Sequence, residues 1–355
     1  MTKKTTVALL FGGRSAEHDI SVLSARAIFR NLDRRKFRPI SIYIDRDGRW
    51  RRVASPLFAA DKLARRPAAG FLPWAGRPLA RPFQADIYFP VLHGPYGEDG
   101  TIQGLLEMAD VPFVGAGVLG SAAGMDKAVM KILFEARGVP VVPYRVVHET
   151  EWRKAPGSVL TRLRRAFSPP IFVKPANMGS SVGITKVRRS AEARAALELA
   201  FRYDRKVIVE AGIRGRELEC SVLGNDRPAA SLPAEIVPFR DFYDYEEKYL
   251  DGQTVFHIPA KLPAAVLAAV RKTAVAAFSA CGCEGLARVD FFLEATTGRL
   301  YVNEINTIPG FTEISMYPKL WEASGLPFPR LVERLIDLGF ERHRAKKRCV
   351  ARTPR

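Results

Sequence analysis

Apolar and polar positions along the chain follow two periods. Thr5–Phe11 and Asp86–Leu92 are short and almost wholly apolar, which predicts strands buried on both faces, as in a parallel sheet. Pro39–Ile44, Ile171–Pro175, Val207–Ala211 and Glu217–Leu223 read as further strands, and Val139–Val147 as an edge segment limited by Pro140 and Pro143. Helical spacing marks Ile20–Leu32, Thr101–Met108, Asp126–Ala136, Ser190–Phe201 with Ser190 as N-cap, Pro263–Ala280, Ser315–Ala323 and Phe328–Leu338. The first strand, the Gly12-Gly13 loop and the first helix form the opening unit of a doubly wound sheet, whose ligands sit at the carboxyl ends of the strands.

Segmentation follows from composition. Gly115–Gly124 holds four glycines and reads as a linker, closing an N-terminal domain at 1–124. A smaller α+β unit is expected over 125–215 and a further domain over 216–340. Residues 341–355 form a basic tail, expected to be disordered. Phe239–Gln253 is polar, aromatic and acidic without a period, as in a lid loop.

Leu286–Ser315 concentrates the chemistry. It predicts two strands joined at Thr296-Thr297-Gly298, with Gly298 at the left-handed end of a three-residue loop. That turn pairs Ala295 with Arg299, Asp290 with Glu304 and Arg288 with Asn306. Arg288, Asp290, Glu304 and Asn306 then project from one face. Two carboxylates and an amide oxygen beside a guanidinium suit a hard cation with an anion clamp; a solvated face with cross-strand ion pairs is the bland alternative.

Other loops are open to two readings. Ala176–Gly183 can lay backbone N–H groups and the Ser180 and Ser181 hydroxyls against phosphate, or be a plain β-hairpin. Glu17 favours a helix dipole or holds a substrate ammonium. His93, among glycines and acids, is a packed residue or a site-lining one. Lys127 opens a helix, where its charge is unfavourable unless an anion is near.

Charge and composition change this picture little. The 355 residues carry a net charge of +18, spread except for the run from Arg342 to Arg355, which lacks aromatics for stacking on bases. Nucleic acid is therefore not an expected partner. No stretch is apolar for the thickness of a bilayer, and the N-terminus reaches Gly12 before a secretory core can form, so a cytoplasmic, non-membrane protein is expected. Cys220, Cys281, Cys283 and Cys349 have neither zinc nor thioredoxin spacing and are expected as free thiols.

Together and in order, Gly12-Gly13-Arg14-Ser15-Ala16-Glu17, His93-Gly94…Glu98-Asp99-Gly100, Met125-Asp126-Lys127, Lys174-Pro175…Gly179-Ser180-Ser181-Val182-Gly183, Tyr249, and Asn303 through Gly310 resemble the D-alanine–D-alanine ligases, bacterial peptidoglycan enzymes. The resemblance spans about Thr5 to Gly339. It implies an ATP-grasp α/β fold with a Rossmann-like N-terminal domain, and ATP held between the central and C-terminal domains. It also implies activation of one D-alanine as an acyl phosphate, then attack by the amine of a second. By the same resemblance, Asp290, Glu304 and Asn306 hold two Mg²⁺ ions, which Mn²⁺ replaces. Lys127, Lys174, Gly179, Ser180, Ser181, Glu210, Glu217, Lys248, Asn303 and Glu304 meet ATP. Glu17 takes the first ammonium through Ser180 and Tyr249, and Arg288 with the Gly310 N–H forms an oxyanion hole. Ser315, Lys248 and Met316 receive the second substrate, and His93 lines its subsite. A homodimer is implied. Tyr249 favours dipeptide over depsipeptide formation. The alternatives are a D-alanine–D-lactate or other carboxylate–amine ligase, and a basic nucleic-acid binder on a ligase scaffold.

Overall fold

The computed structural model describes residues 3–57, 84–237 and 254–350. Three sheets frame it. The first is built from β1 (Thr5–Gly12), helix α1 (His18–Asn31), β2 (Phe37–Ile44), β3 (Trp50–Val53) and β4 (Ile87–Pro90). β1 runs parallel to β2 on one side and to β4 on the other, and β3 closes the edge beyond β2 antiparallel. Its connections leave β1 first towards one side and later towards the other, which puts a switch-point crevice at the β1 carboxyl end. Val7, Leu9 and Phe11 meet one core, shared with Ile28, Leu335 and Ile336, whereas Ala8 and Leu10 meet another with Leu106 and Phe113. Burial on both faces is why this strand reads as an unbroken apolar run.

Helices α2 (Thr101–Met108) and α3 (Val118–Met125) follow. The glycine-rich segment expected as a linker is therefore helical from Val118. Its glycines serve close approach: a Cβ on Gly120 would stand 2.7 Å from the Gly282 carbonyl oxygen, and one on Gly124 2.8 Å from the Thr307 methyl.

The second sheet gathers α4 (Lys127–Ala136), β5 (Tyr144–His148), α5 (Glu149–Lys154), α6 (Pro156–Ala166), β6 (Ile171–Pro175), β7 (Thr185–Val187), α7 (Ala193–Ala200) and β8 (Lys206–Ala211). Its strands run antiparallel in the order β5-β8-β6-β7, so β5 is at an edge, as its prolines predict. Asp126 caps α4 by accepting from the Ala128 and Val129 N–H groups, 3.1 Å each. Ser190 does not cap its helix. It opens a 3₁₀ turn, Ser190–Glu192, and the Glu192 carboxylate takes the Arg188 and Arg189 N–H groups instead.

The third sheet comprises β9 (Gly215–Gly224), β10 (Ala229–Ala230), β11 (Ala234–Val237), β12 (Val255–His257), β13 (Gly285–Glu294) and β14 (Leu300–Asn306). Its order is β12-β11-β9-β13-β14, with β10 on β9. Helix α8 (Ala264–Ala280) lays Val270, Ala274 and Phe278 over Val289 and Val302. Helices α9 (Met316–Ala323) and α10 (Phe328–Val350) return to the first sheet. Cys220, Cys281 and Cys283 are buried and Cys349 is exposed, all as free thiols. Among the described residues no helix is long and apolar enough to cross a membrane.

The β13–β14 pairing matches the expected one where chemistry is concerned: Asp290 opposes Glu304, and Arg288 opposes Asn306. The turn differs. Leu293 pairs with Leu300 and the Gly298 N–H donates to Glu294 O, so the loop is one residue longer than three. A register shift between Asp290 and Phe291, with Val302 rather than Asn303 opposite Phe291, restores the outer pairing. Asn303 is the bulged residue.

The basic tail departs from expectation more plainly, since α10 continues through 341–350. Arg342 is its anchor. The guanidinium lies 3.9 Å over the Phe113 ring, donates to Phe113 O at 3.2 Å, and faces Glu107 at 3.5 Å and Glu284 at 3.9 Å. Lys346 adds a contact to Glu107 and Lys347 one to Asp110. Composition alone could not reveal the matching acids, Glu107 on α2, Asp110 just beyond it and Glu284 before β13. Arg342→Ala is expected to cost about 2 kcal/mol in urea unfolding, because it removes a buried stacked cation and takes from Glu284 its ion-pair partner, while Glu107 keeps Lys346. Arg344→Ala, at an exposed position of the same helix, should stay within about 0.5 kcal/mol.

Candidate active site

Two cavities meet between the sheets. The larger, about 630 Å³, opens between β6–β8 and β9–β13, with Lys174, Glu210, Glu217, Asp290 and Asn303 in its wall. The smaller, about 80 Å³, lies at the carboxyl end of β1 and is walled by Glu17, His93, Glu98, Arg288, Asn306 and Gly310. Lys127, Met178, Gly179, Ser180 and Glu304 line both. One chamber suits a nucleotide and the other an amino acid, and their shared wall carries a cation, a hydroxyl and a carboxylate.

Glu17 precedes α1 and is almost fully buried. The Ser180 hydroxyl donates to its carboxylate. Gly94 and Gly179 leave the room for that carboxylate, since a Cβ on either would stand 2.7 Å from Glu17 Oε2. Ser180 and Ser181 both have left-handed φ, +48° and +61°. Two consecutive left-handed residues make a tight turn, closed by the Val182 N–H on Gly179 O at 3.1 Å, at some conformational cost.

His93 is held at both ring nitrogens. Nδ1 donates to Ile308 O at 2.9 Å, and Nε2 accepts from the Ser24 hydroxyl at 3.0 Å, which itself accepts from the Phe311 N–H. Burial lowers its pKa, consistent with a neutral ring. His93 thus lines the small cavity while fixing the loop that carries Gly310. Glu98, not singled out as a ligand from sequence, braces the same loop. Its two oxygens accept from Gly94 N (2.6 Å) and Ile308 N (3.2 Å). Burial, with Glu17 nearby, pushes its pKa up to about 8.

On the hairpin face Arg288 grips Asp290 through two bonds, 2.7 and 2.6 Å, and faces Glu219 at 3.3 Å. Lys127 donates to Met178 O at 2.7 Å and stands 3.4 Å from Glu304. Glu210 is buried between Lys131 (2.8 Å) and Lys174 (2.5 Å). Burial alone would raise its pKa, but the two ammonium groups outweigh that and hold it at about 2. Lys174 also reaches Asn303 Oδ1 at 3.3 Å. Lys131 had a sequence signal, because it follows Lys127 by four residues and so shares its helix face.

Gly310 lies against Ser315, where a Cβ would come 2.8 Å from the serine Oγ. The Ser315 hydroxyl meets the Thr312 N–H at 2.9 Å and the Thr312 hydroxyl at 2.7 Å. The Met316 side chain packs with Ala234, Ile236 and Leu320 and walls neither cavity. Lys248 and Tyr249 lie outside the described residues, as does the whole expected lid, 239–253.

Among the described residues no three His, Cys, Asp or Glu side chains stand ready as a metal cluster. The donor set nevertheless suits a hard cation. Asp290 and Glu304 are cross-strand partners, and Asn306 Oδ1 accepts one bond, from Ile308 N at 3.1 Å, leaving a lone pair.

Family models described as the N-terminus and C-terminus of D-Ala D-Ala ligase match residues 6–116 and 133–337. A D-alanine–D-alanine ligase from Solibacter usitatus is 52% identical over 344 residues, 97% of this chain and 98% of its own. Another, from Heliobacterium modesticaldum, is 49% identical over 363 residues, 99% of each chain. Among solved structures, the D-alanine–D-alanine ligase from Coxiella burnetii has a TM-score of 0.86 at 40% identity, covering 99% of this chain and 98% of that one. The VanG D-Ala:D-Ser ligase from Enterococcus faecalis has a TM-score of 0.82 at 35% identity, over 95% and 100%. Fold and paired cavities define an ATP-grasp ligase. The chain belongs to the D-alanine–D-alanine ligase family, whose members are ATP-dependent enzymes.

A buried acid with a raised pKa makes stability depend on pH in a set direction. Below about pH 4.5, Glu98 is protonated folded and unfolded, and no penalty applies. Between 4.5 and about 8 the unfolded chain ionises first, so stability declines relative to a Glu98→Gln variant by roughly 1.4 kcal/mol per pH unit. Urea unfolding of both proteins at pH 5, 6.5 and 8 measures this. A difference independent of pH would refute it.

Proposed function

We propose that this cleft joins two D-alanine molecules with ATP through a D-alanyl phosphate, supplying the dipeptide of cytoplasmic peptidoglycan precursor synthesis. The observation that carries this reading is the shared wall: Lys127, Ser180 and Glu304 border the nucleotide-sized and amino-acid-sized cavities together. A γ-phosphoryl group and a substrate carboxylate can meet only at such a junction.

In this reading Glu17, held by Ser180, takes the ammonium of the first D-alanine and points its carboxylate at the junction. Lys127, Lys174 and the Gly179–Ser181 loop hold the phosphates, while Glu210 and Glu217 border the remainder of the nucleotide. A carboxylate oxygen of D-alanine forms a bond to the γ-phosphorus as the bond to ADP breaks. The amine of the second D-alanine then attacks the carbonyl carbon. Arg288 and the Gly310 N–H stabilise the resulting oxyanion, each donor being worth roughly 3 kcal/mol. Loss of a proton from nitrogen and departure of phosphate complete the peptide. Ser315 receives the second carboxylate together with Lys248 and the backbone near Met316, and His93 keeps the Gly310 loop in place. Asp290, Glu304 and Asn306 would hold two Mg²⁺ ions, replaceable by Mn²⁺, which neutralise phosphate charge when bound. Arg288 and Lys127 now sit on those carboxylates, so the same residues can exchange side-chain cations for metal. Tyr249 and Lys248 act from the lid, and a homodimer is the expected assembly.

Phosphate release measured with D-alanine, D-lactate, D-serine or L-alanine as the second substrate tests the assignment. D-alanine should be preferred, and absence of D-alanine-dependent release would sink it. D-serine belongs in the panel because of the Enterococcus faecalis relative. Asp290→Asn and Glu304→Gln are each expected to lower kcat by roughly a hundredfold or more, with the melting temperature nearly unchanged. Turnover within a few-fold of the parent protein would contradict the metal role. Tyr249→Phe should raise the depsipeptide share of product several-fold in D-alanine and D-lactate mixtures; an unaltered share would argue against the lid role.

A further inference from the structure

Lys131 walls neither cavity, yet it touches Glu210 and Asn303, which wall the larger one. It is one turn beyond Lys127 on α4, fully buried, and its Nζ makes two polar contacts. One is to Glu210 Oε1 at 2.8 Å and the other to the main-chain carbonyl of Asn303 at 3.1 Å. Glu210 Oε2 holds Lys174 at 2.5 Å, and Lys174 reaches the Asn303 side chain at 3.3 Å. Asn303 is thus held through its backbone by one lysine and through its amide by the other.

Asn303 is the bulged residue whose insertion sets Glu304 opposite Asp290 and Asn306 opposite Arg288. A one-residue slip there would turn these side chains to the other face. A bulge carbonyl lies outside the regular ladder, so a fixed donor is what keeps it in place. Charge adds a second constraint. Glu210 with two lysines leaves one net positive charge beside the large cavity; with Lys174 alone the pair would be neutral. The Lys174 ammonium would then be bound to Glu210 rather than shared with a phosphate.

We propose that Lys131 is a positioning residue of the ligase reaction, which fixes the Asn303 bulge and keeps Lys174 available to nucleotide phosphate without touching substrate. This rests on reading the large cavity as the ATP site. A purely structural lysine would alter the unfolding midpoint but not the constants of the folded protein. Lys131→Met is expected to weaken ATP binding about tenfold in calorimetric titration with EDTA present, where no metal contributes. In steady state with Mg²⁺ it should raise KM for ATP by a similar factor and leave KM for the first D-alanine within about twofold. Lys131→Gln, which keeps a hydrogen-bond donor but no charge, should show the same loss of ATP affinity and serves if the methionine variant does not fold. Unchanged ATP affinity in a folded variant, or equal rises in both KM values, would overturn the positioning role. Failure of the parent protein to bind ATP in the same titration would instead overturn the reading of the cavity.

Discussion

A buried carboxylate between two buried ammonium groups is the constraint on which the cleft depends. Glu210 comes from the second sheet, Lys131 from the helix before it, and Lys174 from the strand beside it; both lysines reach Asn303 on the third sheet. The cluster therefore spans the two walls of the large cavity. Its value is not chiefly stability, since desolvating three charges costs much of what their attraction returns. Apolar side chains of like volume would pack as firmly. They would not hold a bulge carbonyl, and they would leave no positive charge beside the proposed phosphate position.

A second set of contacts gathers the small cavity, and it is built the same way, with polar side chains spent on backbone. His93 and Glu98, both from the loop after β4, reach Ile308, while Ser24 from α1 reaches Phe311. The loop bearing Gly310 is thereby fixed to the first sheet although it belongs to the third. Ser180 ties the Ala176–Gly183 loop to Glu17 across 163 residues of sequence. In its proposed role the N–H of Gly310 can act on developing charge only if it does not have to be reoriented at the moment of reaction, and these ties hold its loop in place.

What can be read in the sequence is whatever local rules decide. Unbroken apolar runs identify β1 and β4, and the turn at Gly298 locates the hairpin. The pairing of Asp290 with Glu304 holds even though the loop is longer by one residue, because the Asn303 bulge compensates by one. Bulges answer to tertiary contacts, here Lys131 and Lys174, and leave no local mark. Helix α3 is hidden because its glycines suggest a break, whereas they permit contact with Gly282 and Thr307. The basic tail misleads for a related reason: its helix depends on Phe113, Glu107 and Glu284, which no window around Arg342 contains.

The motifs mark the residues proposed to meet substrate; of those that hold them, His93 and Glu98 lie within a motif, whereas Ser24 and Lys131 do not. Chemistry restricts residue type at a reacting position, so Glu17, Lys174 and Glu304 stand out in any pattern of loops and strands. A holding position asks only for a donor or acceptor of the right reach, and many sequences can supply one. Glu98 and Lys131 have short-range companions, His93 and Lys127, but their partners Ile308 and Asn303 lie 210 and 172 residues away. Placement of the site is therefore a property of the fold as a whole. Arg288 shows the difference within one side chain: its charge is legible from the hairpin alone, yet its grip on Asp290 and proximity to Glu219 depend on how β9, β13 and β14 are brought together.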